Sequence, residues 1–211
     1  MDKGRCNLKF KVGLIGDTNV GKTNIVSRFV RDLYSEDTSP TPGISTSFKN
    51  ILKDKLIIEL DIYDLGGHEK YREEAAKYIQ EIDGCFIVYD ITDKKSFLNI
   101  EQWYRKIKEK KPNIPIIIIG NKCDLAESRE VSNKEAEEKA KELNCFYYET
   151  SALDANYIND IFKTMADFIF ENKFPKRINV NMELNNEKEK KKNCCCDCCY
   201  DCCCDCCCDW F

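Results

Sequence analysis

Near the start of the chain, Gly16-Asp17-Thr18-Asn19-Val20-Gly21-Lys22-Thr23 has the residue types needed to cradle a polyphosphate. It fits the pattern G-x-x-x-x-G-K-[ST]. In that pattern the backbone N–H groups of a glycine-bearing loop, with the positive end of the following helix, wrap the α- and β-phosphates. Lys22 is expected to reach the β- and γ-phosphates, and the Thr23 hydroxyl to ligate Mg²⁺. A second group, Asp64-Leu65-Gly66-Gly67, adds a carboxylate able to hold the same ion through water and a glycine N–H able to approach the γ-phosphate.

Asn121-Lys122-Cys123-Asp124 and Glu149-Thr150-Ser151-Ala152 bear on a base. The Asp124 carboxylate can accept two hydrogen bonds from guanine N1–H and the 2-amino group, a pair adenine lacks, so the wrong base would leave polar groups unpaired. Asn121 is expected to buttress the loop and the purine edge, the Lys122 stem to cover a ring face, and the Ala152 N–H to meet guanine O6. After a phosphate loop, this order and spacing point to GTP rather than ATP. They also oppose a P-loop kinase or ATPase.

These groups need strands and helices to hold them. The apolar run Phe10 to Ile15 stops at the glycine loop, and Ile25, Val26, Phe29, Val30 and Leu33 then mark one face of a helix. Runs around Phe48 to Leu52 and Leu56 to Tyr63 flank Asp54-Lys55 and predict an antiparallel hairpin. Cys85 to Ile91, Ile114 to Ile119 and Cys145 to Thr150 are nearly continuous apolar runs, as parallel strands buried on both faces require. Ser96 and Asn133 are expected N-caps of helices reaching Lys111 and Leu143, and Asn156 to Phe170 reads as a last amphipathic helix. The alternation predicts an α/β fold with a six-stranded, mostly parallel, doubly wound sheet containing one antiparallel strand, flanked by helices. Ligands of such sheets bind beyond the carboxyl ends of the strands, where all these motifs fall.

The length, 211 residues, favours one domain with an appendage. Eleven of the fifteen cysteines lie in the last eighteen residues, leaving Cys6, Cys85, Cys123 and Cys145 for the body. These four are widely spaced and Met1 to Cys6 is short and polar, so neither a disulfide-stapled secreted domain nor a secretory leader is expected. No window approaches the roughly 20 apolar residues of a membrane span. Residues 1–175 carry 27 Lys+Arg against 30 Asp+Glu, which argues against a nucleic-acid binder with a basic face.

On its motifs the chain resembles the Ras superfamily of small GTPases, most closely the Rab branch, over about residues 8 to 172. Phe86-Ile87-Val88-Tyr89-Asp90-Ile91-Thr92 and the stretch from Ser96-Phe97 to Trp103 are Rab-like as well. The resemblance implies a P-loop NTPase small G domain over residues 8–174, with a short extension at 1–7. It implies a Mg²⁺-dependent switch in which GTP orders switch I (about 35 to 46) and switch II (about 66 to 79), and hydrolysis to GDP and phosphate releases them. Thr41 looks like the switch I threonine and joins Thr23 and Asp64 at the metal, while Ser151 falls in the fifth motif beside Ala152. Lys22, Gly67 and His68 would carry the slow intrinsic catalysis. His68 stands where most of the family has a water-orienting glutamine, as in the Sar branch. Switch I, Thr41-Pro42-Gly43-Ile44-Ser45-Thr46, and Tyr63, in place of a tryptophan, also depart from the Rab pattern. Implied partners are an exchange factor, a GTPase-activating protein and effectors, and the implied role is vesicle trafficking. The alternative is a guanine-nucleotide-binding scaffold with negligible hydrolysis.

Residues 175–193 read as a partly basic linker, with Lys188 and Lys190 to Lys192 near its end. From Cys194 to Asp209 the chain repeats Cys-Cys-Cys-Asp with one Tyr substitution, and Trp210-Phe211 follows. Geranylgeranyl or palmitoyl groups on these cysteines, beside the basic patch, would place the protein on the cytosolic face of endomembranes, cycling with the cytoplasm. Clustered thiolates holding Zn²⁺ or another soft metal, or an unmodified tail, are the other readings.

Overall fold

Strands β1 (Asn7–Ile15), β2 (Ile44–Lys53), β3 (Leu56–Leu65), β4 (Gly84–Asp90), β5 (Ile116–Asn121) and β6 (Phe146–Glu149) form one sheet in the order β2-β3-β1-β4-β5-β6. This is a computed structural model, and it describes residues 7–36, 39, 41–53, 56–67 and 77–175. Every pairing is parallel except β2 with β3, where Ile44 lies opposite Leu65 and Lys53 opposite Leu56. The expected sheet is therefore present, although the hairpin tip Asp54-Lys55 lies outside the described residues. One unit, Met1–Asn172, holds this fold; of the second, Lys173–Phe211, the described residues reach only Pro175.

Sequence explains the layering. Every residue of β4 and β5 is buried, as unbroken apolar runs covered by helices on both faces require. In β3, Ile58, Leu60 and Ile62 point into the core while Glu59, Asp61 and Tyr63 alternate with them on the other face. The expectation of burial on both faces fails for β6, which is the sheet's last strand and stays partly exposed, with Phe146 on its open side.

Helices α1 (Lys22–Arg31), α2 (Lys94–Leu98), α3 (Ile100–Lys110), α4 (Asn133–Glu142) and α5 (Ile158–Lys173) complete the unit. Helix α5 buries Ile158, Ile161, Phe162, Met165, Ala166 and Ile169, the stripe a 3.6-residue period lays down. Phe162 stacks on Phe29 of α1 at 3.8 Å between ring centroids and meets Phe86 of β4 edge-on at 5.0 Å.

Several boundaries differ from expectation. Helix α1 stops at Arg31 because Asp32 takes left-handed geometry (φ 56°) and returns its N–H to the Arg28 and Ser27 carbonyls. Leu33 therefore leaves the apolar face and is 58 % exposed. The single helix expected from Ser96 to Lys111 is two, divided at Asn99, and its cap is Asp93, whose carboxylate accepts from the N–H of Lys95 (2.9 Å) and Ser96 (3.3 Å). Ser96 instead ties turn to strand, its hydroxyl accepting from Asp90 N–H at 3.0 Å and donating to the Asp93 carbonyl at 2.8 Å. Ser132, not Asn133, caps α4, accepting from Glu135 N–H at 3.2 Å.

Burial also fixes the chemistry of the body thiols. Cys85 lies wholly inside β4 and burial pushes its thiol far up; burial raises Cys145, beside β6, to about 11. Since only the thiolate is nucleophilic, a value near 11 leaves roughly one reactive form in 10⁴ at pH 7. Brief iodoacetamide treatment should leave Cys85 and Cys145 unmodified until denaturant is added, as read by peptide mass. Labelling in the native protein would show that the core opens readily.

Candidate functional site

The phosphate loop connects β1 to α1, and its last residue, Gly21, is the N-cap of α1 at φ 94°. A side chain there would be strained, and its Cβ would fall 2.2 Å from Asn121 Nδ2. Val20 is core; its carbonyl accepts from that same Asn121 Nδ2 at 2.8 Å, so the end of β5 braces the loop. Lys22 is 6 % exposed, and its ammonium donates to the carbonyls of Gly16 at 2.9 Å and Asp17 at 2.6 Å. Burial lowers it to about 8, against the opposing pull of the Asp64 and Asp17 charges.

Asp17 is an unexpected residue for an anion cradle. Its carboxylate is turned away and held by Asn99 Nδ2 at 2.6 Å and by the Trp103 indole N–H at 2.9 Å. Both donors come from the α2–α3 segment, inside the stretch from Ser96 to Trp103 that the sequence already singled out. No local pattern marks their contact with the phosphate loop.

Thr23, Thr41 and Asp64 converge. The Thr23 hydroxyl donates to Asp64 Oδ2 at 2.5 Å and lies 2.7 Å from the Thr41 hydroxyl oxygen. Asp64 is buried at the end of β3, and its Oδ1 has no hydrogen-bond partner among the described residues. Burial raises the carboxyl above its ordinary value, against the Thr23 hydrogen bond and the Lys22 charge. An orphaned buried carboxylate oxygen beside two hydroxyls fits a hard, oxygen-seeking divalent cation such as Mg²⁺. Gly67 lies so close to the phosphate loop that a Cβ on it would meet Gly16 O at 2.5 Å and Asp17 O at 2.6 Å. His68 lies outside the described residues, as do residues 176–211 with the expected tail attachment sites.

At the other end, Thr150 Oγ1 donates to Asn121 Oδ1 at 3.3 Å, and Thr150 N–H bonds the Gly120 carbonyl at 2.8 Å. Ser151 Oγ donates to Asp124 Oδ1 at 2.6 Å and accepts from Asp154 N–H at 3.0 Å. Lys122, at φ 66°, pairs its ammonium with Asp90 Oδ2 at 2.6 Å, which lays the aliphatic stem along the site. Just before the last motif, Glu149 takes both arms of Arg129 (2.6 and 2.8 Å) and the Tyr147 hydroxyl (2.8 Å), which in turn meets Tyr89 OH at 2.9 Å. Arg28 and Arg129 brace the nucleotide motifs from outside any stretch the sequence singled out, while Asp90, Asn99 and Trp103 brace them from the two further stretches noted there.

A cleft of about 380 Å³ runs from the phosphate loop as far as Lys122 and Leu125. Thr18, Asn19, Lys22, Thr41 and Gly67 line it at the phosphate side and Lys122 at the base side. Tyr34 and Ser35 line it as well, and Asn24 of α1 holds Ser35 by its carbonyl (2.9 Å) and N–H (3.3 Å).

Comparison with known proteins agrees with this geometry. A family profile described as the Ras family matches residues 11–171. The GTP-binding protein ypt3 of Schizosaccharomyces pombe is 40% identical over 162 residues, 76% of each chain. Ras-related protein Rab-11B of Dictyostelium discoideum is 36% identical over 177 residues, covering 83% of this chain and 80% of its own. Ras-related protein RABA6b of Arabidopsis thaliana is 35% identical over 167 residues, covering 79% of this chain and 73% of its own.

Proposed function

The chain belongs to the Ras family, and from that premise we propose that it is a Rab-type GTPase switching membrane trafficking, with the GTP phosphates in the cleft beside Lys22 and the base beyond Lys122, at Asp124. The carrying observation is the convergence of Thr23, Thr41 and the unpartnered Asp64 Oδ1 beside the phosphate loop, in line with an Asp124–Ser151 pair at the base end.

In this reading the loop N–H groups and Lys22 bind and orient the β- and γ-phosphates, and Gly67 donates its N–H to a γ-phosphate oxygen. Thr23, Thr41 and Asp64 would hold Mg²⁺, which when bound spreads the negative charge of the β- and γ-oxygens. Asn121 ties the two ends together. Asp124 and the Ala152 N–H read guanine. His68 orients the attacking water, and a partner's residues supply what slow intrinsic turnover lacks. Lipid groups on the cysteines of 194–211, beside Lys188 and Lys190 to Lys192, hold the protein reversibly on the cytosolic face of endomembranes.

Purified full-length protein should release guanine nucleotide on denaturation and cleave GTP slowly in single turnover. His68→Ala should slow that cleavage by about 10²-fold, the low end for a positioned proton-handling group, with GTP affinity unchanged. An unaltered rate removes His68 from the water-orienting role. No phosphate release with or without cell extract would favour the scaffold reading.

A further inference from the structure

Arg28 lies on α1, six positions beyond Lys22, and a helical rise of 1.5 Å per residue sets it about 9 Å down the axis from the phosphate end. Its guanidinium reaches across to the loop that follows β6. Nε donates to the Ala152 carbonyl at 2.8 Å and an Nη2 proton to the Leu153 carbonyl at 2.9 Å. The remaining arm, Nη1, bonds the carbonyl and Oδ1 of Asp32, each at 3.1 Å, at the end of the same helix. The side chain is only 16 % exposed, and its bond to the Ala152 carbonyl is partly buried, while those to Leu153 and Asp32 lie at the surface.

We infer that Arg28 is a positioning residue for recognition of the guanine 6-oxo group, acting through the Ala152–Leu153 backbone; the inference rests on the guanine-nucleotide reading above. Ser151 is already fixed from the other side by Asp124 and Asp154. Two consecutive carbonyls held by one planar fork fix the two peptide planes that follow Ala152, and with the Ser151 side chain held on the other side the Ser151–Ala152 peptide between them, which carries the Ala152 N–H, is left little freedom to rotate. Because the fork grows from the helix whose first turn carries Lys22 and Thr23, it also sets the height of the base loop above the phosphate loop. A lysine has the charge but not the fork. Asp32 alone does not account for the arrangement, since the two bonds to the base loop come from other nitrogens than the one facing Asp32.

The test uses the full-length chain and equilibrium competition with two nucleotides: GDP, and the diphosphate of 2-aminopurine riboside, which keeps the 2-amino group but lacks O6. Arg28→Met should weaken GDP about tenfold, the worth of one well-aimed hydrogen bond, and 2-aminopurine nucleotide less than twofold. Arg28→Lys should behave as Arg28→Met does, and thermal melting without nucleotide checks that each variant is folded. Equal weakening of both nucleotides in both variants would mean a general loosening and would overturn the proposal, as would unchanged GDP affinity. If the unaltered chain binds no GDP at all, the guanine-nucleotide reading itself falls, and this inference with it.

Discussion

Replacing Lys22 by Met should weaken GTP and GDP binding by about 10³-fold while leaving the nucleotide-free fold nearly as stable as before. In the structure this ammonium is enclosed, lowered to about 8 by burial, and satisfied by two loop carbonyls. Removing it relieves the cost of burying a charge but orphans those two carbonyls, effects that oppose one another. With nucleotide present there is no such balance. Two charge-assisted bonds to phosphate oxygens, at about 2 kcal/mol each, would be lost outright. Titration calorimetry gives the affinity and a melt without nucleotide gives the stability. A variant that binds normally would take Lys22 out of the phosphate site, and one that fails to fold would make its role structural.

Asp124→Asn should exchange guanine for xanthine. The Ser151 hydroxyl needs only an oxygen at Asp124 Oδ1, and asparagine supplies one, so the loop should keep its shape. The other oxygen becomes an NH₂ group facing the N1–H and 2-amino donors of guanine. Xanthine, with an oxygen at position 2, suits it. Sites built around such polar pairs reject a mismatched partner by about 10⁴-fold, and a loss of GTP affinity of 10²-fold or more with a matching gain for XTP is expected. Competition between the two nucleotides reads it directly, and unchanged preference would detach Asp124 from the base.

The motifs were legible because each is local: a loop, its lysine and its hydroxyl lie in one octapeptide, and the carboxylates fall where apolar runs end. What braces them was not. Arg28 meets Ala152 across 124 positions, Trp103 meets Asp17 across 86, and Lys122 finds Asp90 on a neighbouring strand. Such pairs exist only once the sheet order brings strand ends together, and no periodicity announces them. Caps failed for a subtler reason. Asp93 and Ser96, and Ser132 and Asn133, are both good capping residues, and the apolar spacing leaves the choice between them open by one to three positions. The strand pattern likewise foretold β6 but not that it closes the sheet, since an edge strand and an interior one differ in neighbours rather than in composition.

The indole of Trp103 donates its proton to Asp17, the second residue of the phosphate loop. A tryptophan's emission depends on the charge and hydrogen bonding around its ring nitrogen, so this one is wired optically to the loop. The emission of Trp103 therefore depends on whether its bond to Asp17 is kept, which couples a ring in the helical layer to the backbone turn that Lys22 also holds.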